Sequence, residues 1–183
     1  MELRDYLADV AQEVDLAIHR HYGNPYGDLA KASAHLLTAG GKRLRPAMLF
    51  LSADSVRKGS AFDLMPAALS VELIHSFTLI HDDIMDEDEE RRGVPTVHTL
   101  WDEPTAILAG DVLHAQAFES LCRTPASDGA RVRAVSLLAH TCAEICDGQH
   151  RDMAFENLEE VSLHTANEGT TLMLDRVIPE RAE

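Results

Sequence analysis

The chain has 183 residues, of which 45% are hydrophobic and 5% aromatic, enough for one domain with a buried core. It carries 31 Asp and Glu against 16 Lys and Arg, and this net charge of −15 argues against binding nucleic acid or an anionic membrane surface. No stretch reaches 18 apolar residues, and the N-terminus has no basic region followed by an apolar core. We therefore expect no membrane span and no signal peptide, and a cytoplasmic location.

Two further compositional features bear on the environment of the protein. The strong acidity favours a proteome adapted to high salt, where screening removes self-repulsion, and the alternative is an ordinary acidic cytosolic protein. Cys122, Cys142 and Cys146 are odd in number and lack the spacing of a zinc site. We expect them to be reduced residues of the core.

Apolar residues recur at helical spacing along the chain, and β-branched runs are short. This pattern predicts an all-α fold, a bundle of about six helices. The first helix ends before Gly23, the second runs from Asp28, a plausible N-cap, to Gly40, and the third starts near Pro46. The remaining three are predicted over residues 63–85, 105–122 and about 128–154.

A basic cluster opens the third helix. Lys42, Arg43 and Arg45 follow the Gly40-Gly41 pair, in a chain with few cations. Free N–H groups and the macrodipole favour anions at a helix start, so we expect these three side chains to hold a diphosphate. The alternative is a capping turn with solvated basic residues.

An acidic cluster ends the longest predicted helix. Seven acidic residues occupy the nine positions from Asp82 to Glu90, and Arg91 and Arg92 follow directly. Asp82 and Asp86 lie one turn apart on one face with Asp83 beside them, a carboxylate pair that suits Mg²⁺. Carboxylates at a helix C-terminus repel unless a cation is bound, and arginines bind phosphate bidentately. The alternative is a solvated acidic helix end.

These two blocks resemble motifs of one enzyme family. The sequence LIHDDIMDEDEERRGVPTVH from Leu79 to His98 is similar to the first aspartate-rich motif of the trans-isoprenyl diphosphate synthases, the polyprenyl synthetase family. GGKRLRP, which ends at Pro46, resembles the isopentenyl diphosphate signature of that family. Later stretches, GDVLHAQAFE and GQHRD, are similar to further family patterns. The resemblance implies a helical bundle of the isoprenoid synthase type.

The resemblance weakens toward the end of the sequence. A KT-containing stretch and a second DDxxD motif would follow in the family, and neither is present after about Glu159. We therefore expect residues 1–160 to form the N-terminal part of a truncated isoprenoid synthase-like domain. Residues 161–183 are expected to be divergent and partly disordered.

The family resemblance implies a Mg²⁺-dependent prenyltransferase that condenses isopentenyl diphosphate with an allylic diphosphate to give geranylgeranyl or farnesyl diphosphate. It implies a homodimer or a partner subunit. Asp82 and Asp86 would bind Mg²⁺ with Asp83 in support. The implied diphosphate ligands are Lys42, Arg45, His75 and Arg92 for isopentenyl diphosphate and Arg91 for the allylic substrate. From the residues alone, His75 is a core histidine.

Two residues are candidates for setting product length. Phe77 and Thr78 come one to two turns before Asp82. In the family, an aromatic residue five positions before the first aspartate followed by a small residue resembles the archaeal C20 type, which favours geranylgeranyl diphosphate; alternatively Phe77 simply packs in the core. Two other functions stay open: a non-catalytic homologue that binds diphosphates or a synthase partner, and, against the GGKRLRP signature, a terpene cyclase.

Overall fold

A computed structural model of the chain describes residues 2–57, 59 and 61–156. Those residues form seven α-helices, a 3₁₀ turn and one antiparallel pair of short strands, which confirms the all-α prediction. The helices are α1 Leu3–Tyr22, α2 Asp28–Thr38, α3 Leu44–Val56, α4 Met65–Met85, α5 Val97–Leu100, α6 Glu103–Cys122 and α7 Asp128–Glu156. The strands are β1 Glu90–Arg91 and β2 Val94–Pro95, and the 3₁₀ turn is Ala61–Leu64.

The core is built on helical spacing, as the apolar pattern predicts. On α1, Val10, Val14 and Ile18 follow one another at four-residue intervals, and all three are buried. α4 is the central helix and contacts α1, α2, α3, α5 and α6. The largest fully buried apolar side chains are Phe50, Ile18, Leu36, Leu37, Leu73, Ile80, Leu113, Val10, Val14 and Val97.

Among the described elements, the contact between α4 and α6 is the most extensive. Small buried residues of α6, including Ala106, Ala109 and Gly110, let the two helices approach closely. A Cβ atom at Gly110 would lie 2.4 Å from Nε2 of His81, so only glycine leaves room for this imidazole. The residue that precedes the first aspartate is therefore seated directly on α6.

Several element boundaries differ from the sequence prediction. The N-cap of α2 is Gly27, with φ 86°, and Asp28 is the first helical residue. α6 begins at Glu103 because the Asp102 side chain accepts a hydrogen bond from the Thr105 N–H at 2.6 Å. The β1–β2 hairpin and α5 are not among the predicted elements, so the helix count is seven in the described part of the chain and not six.

The chain divides into two compact units, Met1–Ser136 and Leu137–Glu183. All predicted site residues belong to the first unit. The second contains most of α7, where Arg151 pairs with Asp147 at 2.8 Å and where the Gln149 region of the family pattern lies.

Cys142 is buried, but Cys122 and Cys146 are exposed, so the expectation of three core cysteines is wrong for two of them. The predictions for residues 161–183 fall outside the described residues.

Candidate active site

The acidic cluster lies at the C-terminal end of α4, where the sequence places it. Asp82 is in the last turn and Asp86 is the C-cap, with its N–H bonded to the Asp82 carbonyl at 2.8 Å. Burial raises the pKa of Asp82, and the charge of Asp86 raises it further. Two carboxylates that destabilise each other at the negative end of a helix dipole form a site that a cation would stabilise.

Asp83 has a different environment from its neighbours. Its side chain is fully buried, and Oδ1 accepts a hydrogen bond from Nε of Arg91. Arg91 also donates to Oδ2 of Asp88 at 2.8 Å. Burial raises the pKa of Asp83 more than the Arg91 hydrogen bond lowers it. Asp83 Oδ2 is buried without a hydrogen-bond partner, so this carboxylate faces inward and holds Arg91 against the helix end.

The donor set fits Mg²⁺. Within the described ranges, no three His, Cys, Asp or Glu side chains are grouped as a metal-binding cluster. Mg²⁺ does not need such a group, because it takes one or two protein carboxylates and completes its shell with water and substrate phosphates. Asp82 and Asp86 supply the hard oxygen atoms that would hold Mg²⁺.

The hairpin that follows α4 is built on an unusual turn. Arg91 pairs with Val94 across the strands, and the two residues between them, Arg92 and Gly93, have φ of 57° and 77°. Two positive φ values in a two-residue loop are typical of a type I′ turn. Arg92 adopts this conformation while Nη1 donates to the carbonyl of Gly40 at 2.6 Å. The hairpin is therefore fastened to the loop between α2 and α3.

The basic loop between α2 and α3 does not present all three of its cations. Lys42 and Arg45 are exposed, but Arg43 is only 3% exposed. The expectation that Arg43 holds a diphosphate is wrong, because its backbone is left-handed, with φ 47°, and its guanidinium is engaged with the acidic groups of Asp15 and Glu72 inside the bundle.

His75 lies half-buried on α4, seven residues before Asp82. Burial, followed by the charges of Arg45, Arg92, Arg43 and Arg91 in that order, lowers its pKa to about 4. The four arginines are therefore near enough to His75 to disfavour a positive charge on its imidazole. Its imidazole is neutral at pH 7.

Phe77 belongs to a row of aromatic rings between α4 and α6. Its ring lies 4.8 Å from that of His81 and 4.9 Å from that of His114, and His114 lies 5.1 Å from Phe118. Phe77 and His81 are four residues apart on α4, as are His114 and Phe118 on α6, so the sequence could have predicted each pair. It could not have predicted that the two pairs contact each other through Phe77 and His114. Thr78 Oγ1 donates to the carbonyl of His75 at 2.9 Å.

Comparison with known proteins places the chain in a family. The sequence model described as Polyprenyl synthetase matches residues 27–172. The geranylgeranyl pyrophosphate synthase of Geoglobus acetivorans is 55% identical over 133 residues, which cover 73% of this chain and 41% of that protein. The geranylfarnesyl diphosphate synthase of Natronomonas pharaonis is 49% identical over 73% of this chain and 44% of its own length.

Solved structures agree with this assignment. The structure titled geranylgeranyl pyrophosphate synthetase from Geoglobus acetivorans superimposes with a TM-score of 0.83 and 48% identity, covering 89% of this chain and 53% of that one. The chain belongs to the polyprenyl synthetase family, as its motifs indicate. It spans about half the length of the relatives it matches. None of its described helices combines the length and the apolar character needed to span a bilayer.

Proposed function

We propose that this chain forms the isopentenyl diphosphate site and the first aspartate-rich site of a Mg²⁺-dependent prenyltransferase, which acts in the cytoplasm. The reaction joins isopentenyl diphosphate to an allylic diphosphate and yields geranylgeranyl or farnesyl diphosphate. The observation that supports the proposal is that α4 carries both His75 and the aspartates at its C-terminal end, with His75 and Asp82 about 10 Å apart along the helix axis.

The chain's own residues bind and orient the two substrates. Lys42, Arg45, His75 and Arg92 supply donors for the diphosphate of isopentenyl diphosphate, and a neutral His75 donates without adding a fourth positive charge to those of Lys42, Arg45 and Arg92. Arg91 would shift from its carboxylate partners toward the allylic diphosphate. Mg²⁺ held by Asp82 and Asp86 would neutralise charge that develops on the departing diphosphate.

The assembly is part of the same proposal. A homodimer or a partner subunit, which the family resemblance implies, would contribute to the site. A second candidate is a non-catalytic protein that binds diphosphates or a synthase partner. Turnover of radiolabelled isopentenyl diphosphate with dimethylallyl, geranyl and farnesyl diphosphate separates the two candidates.

Binding tests the site independently of turnover. We expect Arg45→Ala to weaken isopentenyl diphosphate binding by about 1.5–3 kcal/mol, because it removes a charged hydrogen bond. Isothermal titration calorimetry measures this loss of binding free energy. Lys31→Ala is the matched control, since Lys31 is an exposed cation on α2 that pairs with Asp28. Equal binding by both variants would contradict the assignment of Arg45.

The metal site has its own test. Mg²⁺ with a non-hydrolysable diphosphate analogue should raise the unfolding temperature in low salt more than Ca²⁺ with the same analogue. A ligand that binds only the folded protein stabilises it by about 2.7 kcal/mol when the ligand concentration is 100 times Kd. Asp82→Asn should remove the effect, and Asp9→Asn, an exposed change on α1, should not. An unchanged unfolding temperature in wild-type protein would refute the metal site.

Product length is proposed to depend on Phe77 and Thr78. Phe77→Ala opens space between α4 and α6, so the catalytically active assembly should make a longer product; Thr78→Phe fills space and should shorten it. Chromatography of the dephosphorylated products measures the change. Leu29→Ala on α2, far from Phe77 in the sequence, is a control that should leave the product length unchanged. If neither variant at 77 or 78 changes the product, Phe77 is only a core residue.

A further inference from the structure

Arg43 is the most completely buried cation described in the first unit. Its Nε donates to Oδ1 of Asp15 at 2.8 Å, Nη1 to Oε2 of Glu72 at 2.7 Å, and Nη2 to the Leu37 carbonyl at 2.9 Å. The Arg43 and Glu72 side chains are 1% and 3% exposed. One guanidinium thus joins α1, the end of α2 and the middle of α4, and each of its nitrogen atoms has a partner.

Arg43 lies between the two exposed cations, at the junction of the α2–α3 loop with α3. Lys42 precedes Arg43 directly, and Arg45 follows two residues later at the start of α3. The left-handed backbone at Arg43 turns its own side chain inward, while its neighbours stay at the surface. Glu72, the anchor on α4, comes three residues before His75, so the two side chains are neighbours on that helix.

Gly41 shows how closely the loop is held. A Cβ atom at this position would lie 3.3 Å from Nη1 of Arg92 and 3.5 Å from Nη1 of Arg43. Both guanidinium groups therefore lie on the side of the Gly41 backbone to which a side chain would project, and they leave little room for one. Both also donate to carbonyls in the last turn of α2, Arg92 to Leu36 at 3.3 Å and Arg43 to Leu37 at 2.9 Å, where the helix dipole favours positive charge.

We propose that Arg43 is a positioning residue for isopentenyl diphosphate, a role that rests on the proposed function of the Lys42, Arg45 and His75 cluster. Arg43 does not touch the substrate. Its ion pair with Glu72 fixes the distance between the loop cations and His75, so that the donors from α3 and α4 converge on one diphosphate. A lysine could keep the charge but not three directed hydrogen bonds.

The inference predicts a selective loss of one ligand. Arg43→Lys should weaken isopentenyl diphosphate binding about tenfold or more, because displaced donors would lose a charge-assisted hydrogen bond to the diphosphate. It should leave binding of Mg²⁺ with the diphosphate analogue unchanged, since that site depends on the aspartates of α4. Titration calorimetry of both ligands measures the split, at a temperature where circular dichroism shows each variant folded.

Two further variants separate positioning from stability. Arg43→Gln combined with Glu72→Gln removes both buried charges and keeps hydrogen-bonding groups, so it should fold and show the same selective loss. Ile18→Ala removes core packing on α1 and should lower the unfolding temperature without a selective effect.

Four results would overturn the inference. Arg43→Lys with unchanged isopentenyl diphosphate affinity excludes the positioning role and leaves the proposed function intact. Equal weakening of both ligands, or the same selective loss in Ile18→Ala, shows a general structural effect. Wild-type protein that does not bind isopentenyl diphosphate refutes the proposed function, and the positioning role falls with it.

Discussion

His75 has a half-buried imidazole among four arginines, and its pKa falls from 6.5 to about 4. The folded chain therefore binds fewer protons at this residue than the unfolded chain between those values. Folding stability due to His75 is fully present above pH 6.5 and is lost as the pH falls toward about 4. His75 therefore makes the folding stability of the bundle depend on pH between 6.5 and about 4.

Replacing His75 by glutamine should reduce the fall in unfolding temperature between pH 6.5 and 4, because glutamine has no charged form to bury. Thermal unfolding at half-unit pH steps measures the slope. His19→Gln is the control, since His19 is exposed on α1. The acidic groups near the site are the same in both variants, so their titration cancels in the difference. Parallel pH profiles for the wild type and His75→Gln would show that the imidazole is not responsible.

Asp83 and Arg91 form a pair whose loss should be costly. Arg91→Ala leaves the 1% exposed Asp83 carboxylate without its donor, and we expect a loss of about 3 kcal/mol in the free energy of unfolding. Urea denaturation measures it. Arg123→Ala breaks an exposed pair with Glu119 and should cost less than about 1 kcal/mol. Similar losses in the two variants would mean that the Asp83 pair is as weak as a surface pair.

At the level of helices and strands, spacing predicts elements well and connections poorly. α1, α4, α6 and α7 were predicted because apolar side chains recur at helical intervals over many residues. The β1–β2 hairpin was missed because two-residue strands carry no alternation. Its turn is held by tertiary contacts of Arg92 with the Gly40 region, which no local pattern reveals.

The contact of Gly110 with His81 makes a prediction about two helices. Gly110→Ala should lower the free energy of unfolding by about 1–3 kcal/mol, because the added Cβ overlaps the imidazole. Combining it with His81→Ala should recover much of the loss, since the clash is removed. Gly148→Ala on α7 is the matched control: no atom lies within 4 Å of the added Cβ, so it should stabilise by up to about 1 kcal/mol. Additive losses in the double variant would show that the two residues do not interact.

Across the whole molecule, the sequence predicted the all-α fold correctly, whereas the roles of the proposed site residues stay predictions. The sequence does not distinguish the three cations Lys42, Arg43 and Arg45. In the structure, Arg43 is buried and the other two are exposed. That difference depends on Asp15 and Glu72, which are distant in the chain. The predicted domain boundary near residue 160 and the homodimer both stay predictions.

The net charge of −15 gives a prediction for the entire chain. Raising KCl from 0.1 M to 1 M shortens the Debye length from about 10 Å to about 3 Å, so mutual repulsion of surface carboxylates should weaken. We expect the unfolding temperature to rise, as in a protein adapted to high salt. Sucrose at matched osmolality separates screening from general solvent effects. A flat or falling response to KCl would instead favour an ordinary acidic protein.

The ring row between α4 and α6 also supplies a built-in spectroscopic probe. The imidazole of His114 has an aromatic neighbour on each side, Phe77 at 4.9 Å and Phe118 at 5.1 Å. Ring currents from both neighbours should shift the carbon-bound protons of this imidazole away from the resonances of an isolated histidine. An isoprenoid chain that displaces Phe77 would remove one of those currents and leave the other. The magnetic resonance of a single histidine would then report how deep a hydrocarbon reaches into the protein.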